Sequence, residues 1–219
     1  MDDVQRFFQP ADLEAIRAAI AEAEGKTSGE IVPYFVEESD AYPSALWEGT
    51  ALGAFAGPLV AEAIYFFGNF WGGMLPLWIA LPAAAGGALG FLLAAYVPAV
   101  KRWLAGPDLL DLRTRQRAEM AFLEQEVFRT RDRTGILLFL SLFEHRVVVI
   151  GDSGINQKVE PGQWDGIVRT VVAGIRSGRP GEALVSAIRE CGELLQRHGV
   201  AIQPDDRNEL ENELRRGDR

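Results

Sequence analysis

Between positions 49 and 100 the chain carries one charged side chain, Glu62, and on either side charged and apolar residues mix in ordinary proportion. The uncharged block divides into two candidate spans, Leu46 to Gly68 and Met74 to Val100. Each exceeds the ~20 residues a helix needs to cross a bilayer core of ~30 Å. Between them Gly68-Asn-Phe-Trp-Gly-Gly73 predicts a tight turn with an aromatic pair suited to the interface. Trp47 and Trp103 stand at the opposite ends. The glycines of Gly49-Thr-Ala-Leu-Gly53 and Gly53-Ala-Phe-Ala-Gly57 recur every fourth residue, a spacing that lets helices approach closely in lipid. Pro58, Pro76 and Pro82 predict kinks or tilts. The alternative reading is a pair of buried helices in a soluble all-α protein. Ala63 to Val100 without a charge makes an odd soluble pair.

The flanks show shorter periodicities. Residues 3–24 predict a helix with Leu13, Ile16 and Ile20 on one face, Pro10 in the first turn, and Phe7 and Phe8 leading in. Glu30 to Glu37 reads as a strand that Pro33 assigns to an edge or a bulge. Asp111 to Arg129 reads as a helix with Met120, Leu123 and Val127 on one face and solvated Arg and Glu pairs elsewhere. Ile136 to Leu142 is a continuous apolar run, as in a central strand covered on both faces. Phe143 to Arg146 predicts a tight turn, and Val147 to Ile150 the return strand of a hairpin. Two striped helices follow. One carries Trp164, Ile167, Val168, Val171 and Ile175, the other Leu184, Ile188, Cys191 and Leu195, with Gly178-Arg-Pro-Gly181 between. The segment after His198 reads as a charged tail ending in a short or frayed helix.

Neither flank has enough apolar surface to close a core alone. The order predicts one α/β domain, a small three-layer sandwich around three or four strands, interrupted by a two-helix transmembrane hairpin. Residues 1–45 and 105–200 form the split domain, 46–103 the hairpin and 201–219 the charged tail.

Charge refines the picture. The net charge is -9, and no basic block is long enough for nucleic-acid binding. Met1-Asp2-Asp3 lacks a basic patch followed by an apolar run, so the internal block is the first segment expected to engage the insertion machinery. A hairpin returns the chain to its starting side. Lys101, Arg102, Arg113, Arg115 and Arg117 follow the second span, and the connecting turn has no base. The positive-inside rule places both flanks in the cytoplasm. A bacterial inner-membrane protein with two spans is the expectation, with a lipid bilayer and a membrane or membrane-associated protein as partners. The Gly-rich spans suit a homo-oligomer. Glu62 lies toward the far end of the first span, within reach of the headgroups, and the alternative is a functional intramembrane carboxylate. The lone cysteine, Cys191, excludes an internal disulfide and reads as a small buried hydrophobe.

Thr27-Ser-Gly-Glu-Ile-Val32 and Gly135-Ile-Leu-Leu-Phe-Leu140 resemble the core strands of the TPM domain, as do the return strand with Gly151-Asp-Ser-Gly-Ile155 and the helical segment from Gln163. That family takes its name from a thylakoid lumen protein, a photosystem repair protein and a modulator of a nematode receptor. The resemblance covers residues 5–40 and 110–200, and a hairpin after the first strand looks like a bacterial subgroup. It implies an α/β/α sandwich. In some members it also implies divalent-metal binding, notably calcium, and in some plant members acid phosphatase activity; others look like binding or assembly modules. Most members hold the domain outside the cytoplasm, so an extracytoplasmic domain is the alternative to the charge count.

The candidate chemistry gathers where the last predicted strand ends. Asp152 and Asp165 would offer hard oxygen ligands to calcium or magnesium, with Ser153, Gly154, Asn156 and Glu160 in the same stretch and Asp40 joining from the first strand. Asp152-Ser-Gly is equally ordinary turn chemistry, and Asp165 suits a helix start. His145 falls in a turn and His198 at a helix end, neither with an evident base role. The functional expectation is a membrane-anchored interaction or assembly module that binds a divalent metal. A metal-dependent phosphomonoester hydrolase is the alternative, and a channel-like hairpin oligomer a third reading.

Overall fold

The computed structural model describes residues 7–68, 76–200, 202 and 208–217. The chain forms two compact units, one of residues 1–39 and 113–219 and one of residues 40–112. The predicted turn at 69–73 and the first residues of the predicted N-terminal helix lie outside the described residues.

The first unit is a mixed α/β sandwich. In chain order it holds α1 (Pro10–Glu24), β1 (Glu30–Val36), the end of α4 (Pro98–Glu124), β2 (Gly135–Ser141), β3 (Arg146–Gly151), the one-turn α5 (Ser153–Asn156), α6 (Asp165–Arg176), α7 (Pro180–Arg197) and β4 (Arg215–Arg216). The sheet order is β3-β2-β1-β4. β1 runs parallel to β2 from Glu30↔Gly135 to Val36↔Ser141, and β3 returns antiparallel along β2.

Alternation along each strand builds two cores. Ile31 and Phe35 of β1, Ile136, Leu138 and Leu140 of β2, and Val147 and Val149 of β3 meet α1, α6 and α7. Val32, Tyr34, Val36, Leu137, Phe139, Val148 and Ile150 meet Ala118, Ala121 and Phe122 of α4. A strand buried on both faces has no polar side to display, which is why Ile136 to Leu142 reads as unbroken apolar sequence. Phe8 leads into α1 and packs edge-to-face on Phe35, ring centroids 5.1 Å apart.

Three features depart from the sequence reading. Met120 and Leu123 are exposed, and α4 turns Thr114, Arg117, Ala118 and Ala121 inward instead. Those small residues bring the helix close to the sheet, and Arg117 donates to the Tyr34 hydroxyl at 2.9 Å while pairing with Glu124 at 3.0 Å. The charged tail forms no helix among the described residues; it lays β4 parallel to β1, Tyr34↔Arg215 and Phe35↔Arg216. β1 therefore has neighbours on both sides. Pro33 fits because even-numbered residues of β1 bond toward β2, as Glu30 N does to Thr134 O, while odd-numbered ones face the other way, as Phe35 O does toward Gly217 N. The missing donor of Pro33 falls on the side where β4 supplies only two residues.

The second unit holds α2 (Pro43–Phe67), α3 (Leu77–Tyr96) and the start of α4. At 1.5 Å per residue the two helices measure about 37 and 30 Å. Both are long and apolar enough to cross a membrane, and they expose that surface: Phe55, Leu59, Phe66, Trp78 and Leu81 are more than half exposed. Buried core helices of a soluble protein would hide it. The second helix stops at Tyr96 rather than Val100. Val97 ahead of Pro98 is extended (φ -109°, ψ 100°), the conformation a following proline imposes. α4 then breaks again at Gly106 (φ 73°, ψ 157°), before Pro107. Pro58 and Pro82 remain inside helices. α2 and α3 meet backbone to backbone. A Cβ at Gly53 would strike the Gly86 carbonyl, at Gly57 that of Pro82, and at Gly90 that of Gly49.

Candidate functional site

The loop after β3 is built from backbone demands. The Asp152 N–H donates to Gly135 O at 2.9 Å, and Gly154 N–H to Arg133 O at 2.9 Å. Asp152 caps α5: its Oδ1 accepts from Ser153 N at 2.6 Å. Its Oδ2 lies 2.7 Å from Arg133 Nε, and the Asp152 side chain is 5% exposed. Asn156 Nδ2 donates to Gly151 O at 2.6 Å. Gly154 is required by a close approach, since a Cβ there would strike the Asp132 carbonyl. The sequence thus places Asp152, Ser153, Gly154 and Asn156 in one tight loop, and each has a structural task.

The other candidates stand elsewhere. Asp165 is exposed at the first position of α6, where its charge favours the helix dipole. Glu160 caps the short 3-10 turn Pro161–Trp164, its N–H donating to Gln163 Oε1 at 2.9 Å. Asp40 belongs to the other unit and accepts from Ala41 N at 2.7 Å. Glu62 is exposed on α2, five residues before its end, so its carboxylate sits about 7.5 Å of helix rise from the terminus. Among the described residues no three His, Cys, Asp or Glu side chains are grouped to hold a metal ion. A hard cation takes six or more oxygens, and Asp152 caps α5 through Oδ1 while its Oδ2 lies in an ion pair with Arg133. The arrangement gives the calcium or magnesium reading no support.

Cys191 is fully buried in α7, and burial pushes its thiol up to about 12, so it presents no thiolate. His145 adopts φ 52° in the β2–β3 turn. His198 follows α7, its Nε2 2.9 Å from Gln163 Nε2.

Two polar clusters escape sequence reasoning. At the C-terminal ends of β1 and β2, Glu144 Oε1 accepts from Ser39 N at 2.8 Å, its Oε2 from Ser141 Oγ, and the Ser39 and Ser141 hydroxyls are 2.8 Å apart. All three residues are buried, so the cluster ties β1 to the β2–β3 turn rather than facing a substrate. At the other end of β1, Glu24 Oε1 accepts from Ile31 N at 3.0 Å and Glu30 Oε1 from Glu209 N at 3.2 Å. These partners lie far apart in sequence or in a segment without periodicity, so no local signal marks them.

One accessible feature of the sandwich is the outer edge of β3. A cleft of about 270 Å³ is lined by Arg115 and Glu119 of α4, Val148, Val149 and Ile150 of β3, and Trp164. Val148 and Ile150 belong to one core and Val149 to the other, so the cleft straddles the strand and must lie on the side away from β2. Asp152 N bonds toward β2, which turns the backbone groups of the odd-numbered residues Val147, Val149 and Gly151 outward. The Gly151 carbonyl is taken by Asn156. Val149 presents its N–H and C=O between the two helical layers.

No family model and no curated protein matches the chain. A solved structure does: the NMR structure of the BA42 protein from the psychrophilic bacterium Bizionia argentinensis, with a TM-score of 0.58 and 18% identity over 99% of this chain and 100% of that one. The likeness shows the fold, and it is consistent with a TPM-like sandwich.

Proposed function

We propose that the chain is a membrane-tethered TPM-like interaction module that takes an extended protein segment along the outer edge of β3. The observation that carries the reading is the cleft at Val149, where a strand edge offers main-chain partners between walls that extend past it. Strand addition draws affinity from main-chain hydrogen bonds and selectivity from the side-chain pockets beside them. Here Trp164 supplies an apolar contact, and Arg115 and Glu119 a charged pair of opposite sign. The α2–α3 hairpin holds the module at an inner membrane, and the bases Lys101 and Arg102 favour its cytoplasmic side.

The test is site-specific photo-crosslinking in intact membranes. A crosslinker at Arg115 should give a discrete protein adduct, one at the exposed Arg169 on α6 should not, and Val149→Pro should abolish the Arg115 adduct. The proline removes the outward donor and no β2–β3 bond. An adduct that survives Val149→Pro refutes strand addition. The hydrolase alternative gains nothing from this geometry, since no nucleophile or grouped ligand set lines the cleft.

A further inference from the structure

The turn that carries Trp164 is tied to the end of α7 at two points. Lys158 Nζ donates to Gly199 O at 3.0 Å, and the Gln163 amide meets the His198 ring, Nε2 to Nε2, at 2.9 Å. The cap of the turn decides which end of the amide the ring meets. Gln163 Oε1 accepts from Glu160 N at 2.9 Å, one half of the reciprocal cap on Pro161–Trp164, so the amide nitrogen faces the imidazole. An amide nitrogen only donates. His198 Nε2 must therefore accept, which makes the ring neutral with its proton on Nδ1.

We propose that His198 is a proton-sensitive latch on the β3 cleft: the neutral ring holds the Gln163 turn and with it Trp164, and protonation releases them. The latch regulates the docking edge described above and rests on that reading for its consequence. An imidazolium carries N–H on both nitrogens, so a donor would face a donor. Turning the amide over would give the ring an oxygen, but it would set the amide nitrogen against Glu160 N–H and break the cap. The tie to α7 and the cap cannot both survive protonation. Trp164 ends this turn; it is 5% exposed, packs in the core with Ile167 and Val171, and lines the cleft. Loss of either bond loosens the apolar wall on which a docked segment would rest.

The charged groups on the neighbouring elements are Lys158 and Glu160 on the turn segment, Asp165 at the start of α6, and Glu193 and Arg197 on α7, where Arg197 Nε donates to Glu193 O at 3.3 Å. Beside the end of α1, Lys26 pairs with Glu22 at 2.8 Å. Carboxylates and strong bases ordinarily titrate outside pH 5–8, and histidine within it. Glu24, which burial raises from 4.5 to about 8, titrates on its own contact with Ile31 N. A bond that only the neutral ring can make is complete at the alkaline end of histidine's range and is lost as pH falls through it.

Fluorotryptophan NMR on the full chain in detergent micelles reads the cleft wall without a partner. The chain has five tryptophans, and Trp164→Phe assigns the resonance of Trp164. Between pH 8 and pH 5.5 that resonance should move with the titration of the His198 ring. It should stay still in His198→Gln, whose side chain carries no titratable group, and keep its response in His145→Gln. In membranes, the crosslinked adduct at Arg115 should fall roughly threefold to tenfold over the same interval, the worth of one hydrogen bond, and should hold its yield in His198→Gln. A Trp164 resonance that ignores pH, or follows it equally in His198→Gln, overturns the latch. An adduct yield that stays constant while Trp164 moves overturns its control of the cleft. A Trp164 resonance that titrates with His198 while no adduct forms at any pH supports the latch and refutes the docking reading instead.

Discussion

The hairpin and the sandwich solve the same packing problem with opposite residues. In the sandwich, two cores are filled by Phe35, Phe139, Ile136 and Leu138, all fully buried. In the hairpin the large residues point out and the glycines point in: Gly49, Gly53 and Gly57 of α2 meet Gly90, Gly86 and Pro82 of α3. Water drives large apolar side chains together and lipid does not. Two helices in lipid gain instead from close backbone contact, which only the smallest residues allow. An outward apolar face with a glycine seam is the pattern expected of helices that meet in lipid.

The comparison predicts that truncating a phenylalanine costs much in one unit and little in the other. Phe35→Ala removes a ring with no exposure from the sandwich and should cost about 3–5 kcal/mol. Phe55→Ala, at a position 75% exposed on α2, should change stability by less than about 0.5 kcal/mol in micelles. Denaturant titration in one detergent reads both. A comparable loss from the two would mean that α2 hides its outer face against protein.

Adding bulk reverses the ranking. Gly53→Leu drives a side chain into the Gly86 carbonyl and should cost about 1–3 kcal/mol by overpacking. Gly166→Ala, in the first turn of α6 with open space around the new methyl, should be neutral or stabilise by about 0.5–1 kcal/mol. Thermal melts followed by circular dichroism distinguish them. A tolerated Gly53→Leu would mean the helices do not meet along that seam.

The sequence is legible where one element's own pattern decides its place. The two-faced burial of β2, the stripes of α6 and α7 and the four-residue glycine spacing all follow from local periodicity. It is less legible where a distant partner decides. Arg215 and Arg216 carry no strand signal, and they pair because β1 leaves an edge beside Pro33. α4 turns its alanines inward because the sheet approaches closely there, so Met120 and Leu123 mislead. Ser39, Ser141 and Glu144 form a site only once β1 and β2 are side by side. Among the candidate site residues, sequence proximity did bring Asp152, Ser153, Gly154 and Asn156 into one loop. What it could not show is that Arg133, nineteen positions earlier, already meets the carboxylate.

That last contact makes the smallest predicted effect the most decisive one for chemistry. A cation bound at a hundred times its dissociation constant stabilises a fold by about 2.7 kcal/mol. For a chain of this size that is a rise of roughly 5–10 °C in melting temperature. With Asp152 engaged by Ser153 and Arg133, millimolar calcium or magnesium should produce no such rise. Asp152→Ala should cost about 1 kcal/mol, the worth of a lost helix cap, whether or not metal is present. A metal-induced rise that Asp152→Ala abolishes would instead mean that Arg133, whose side chain is half exposed, swings aside to let the cation in. The loop after β3 would then be a ligand site, and the hydrolase alternative would regain its first requirement.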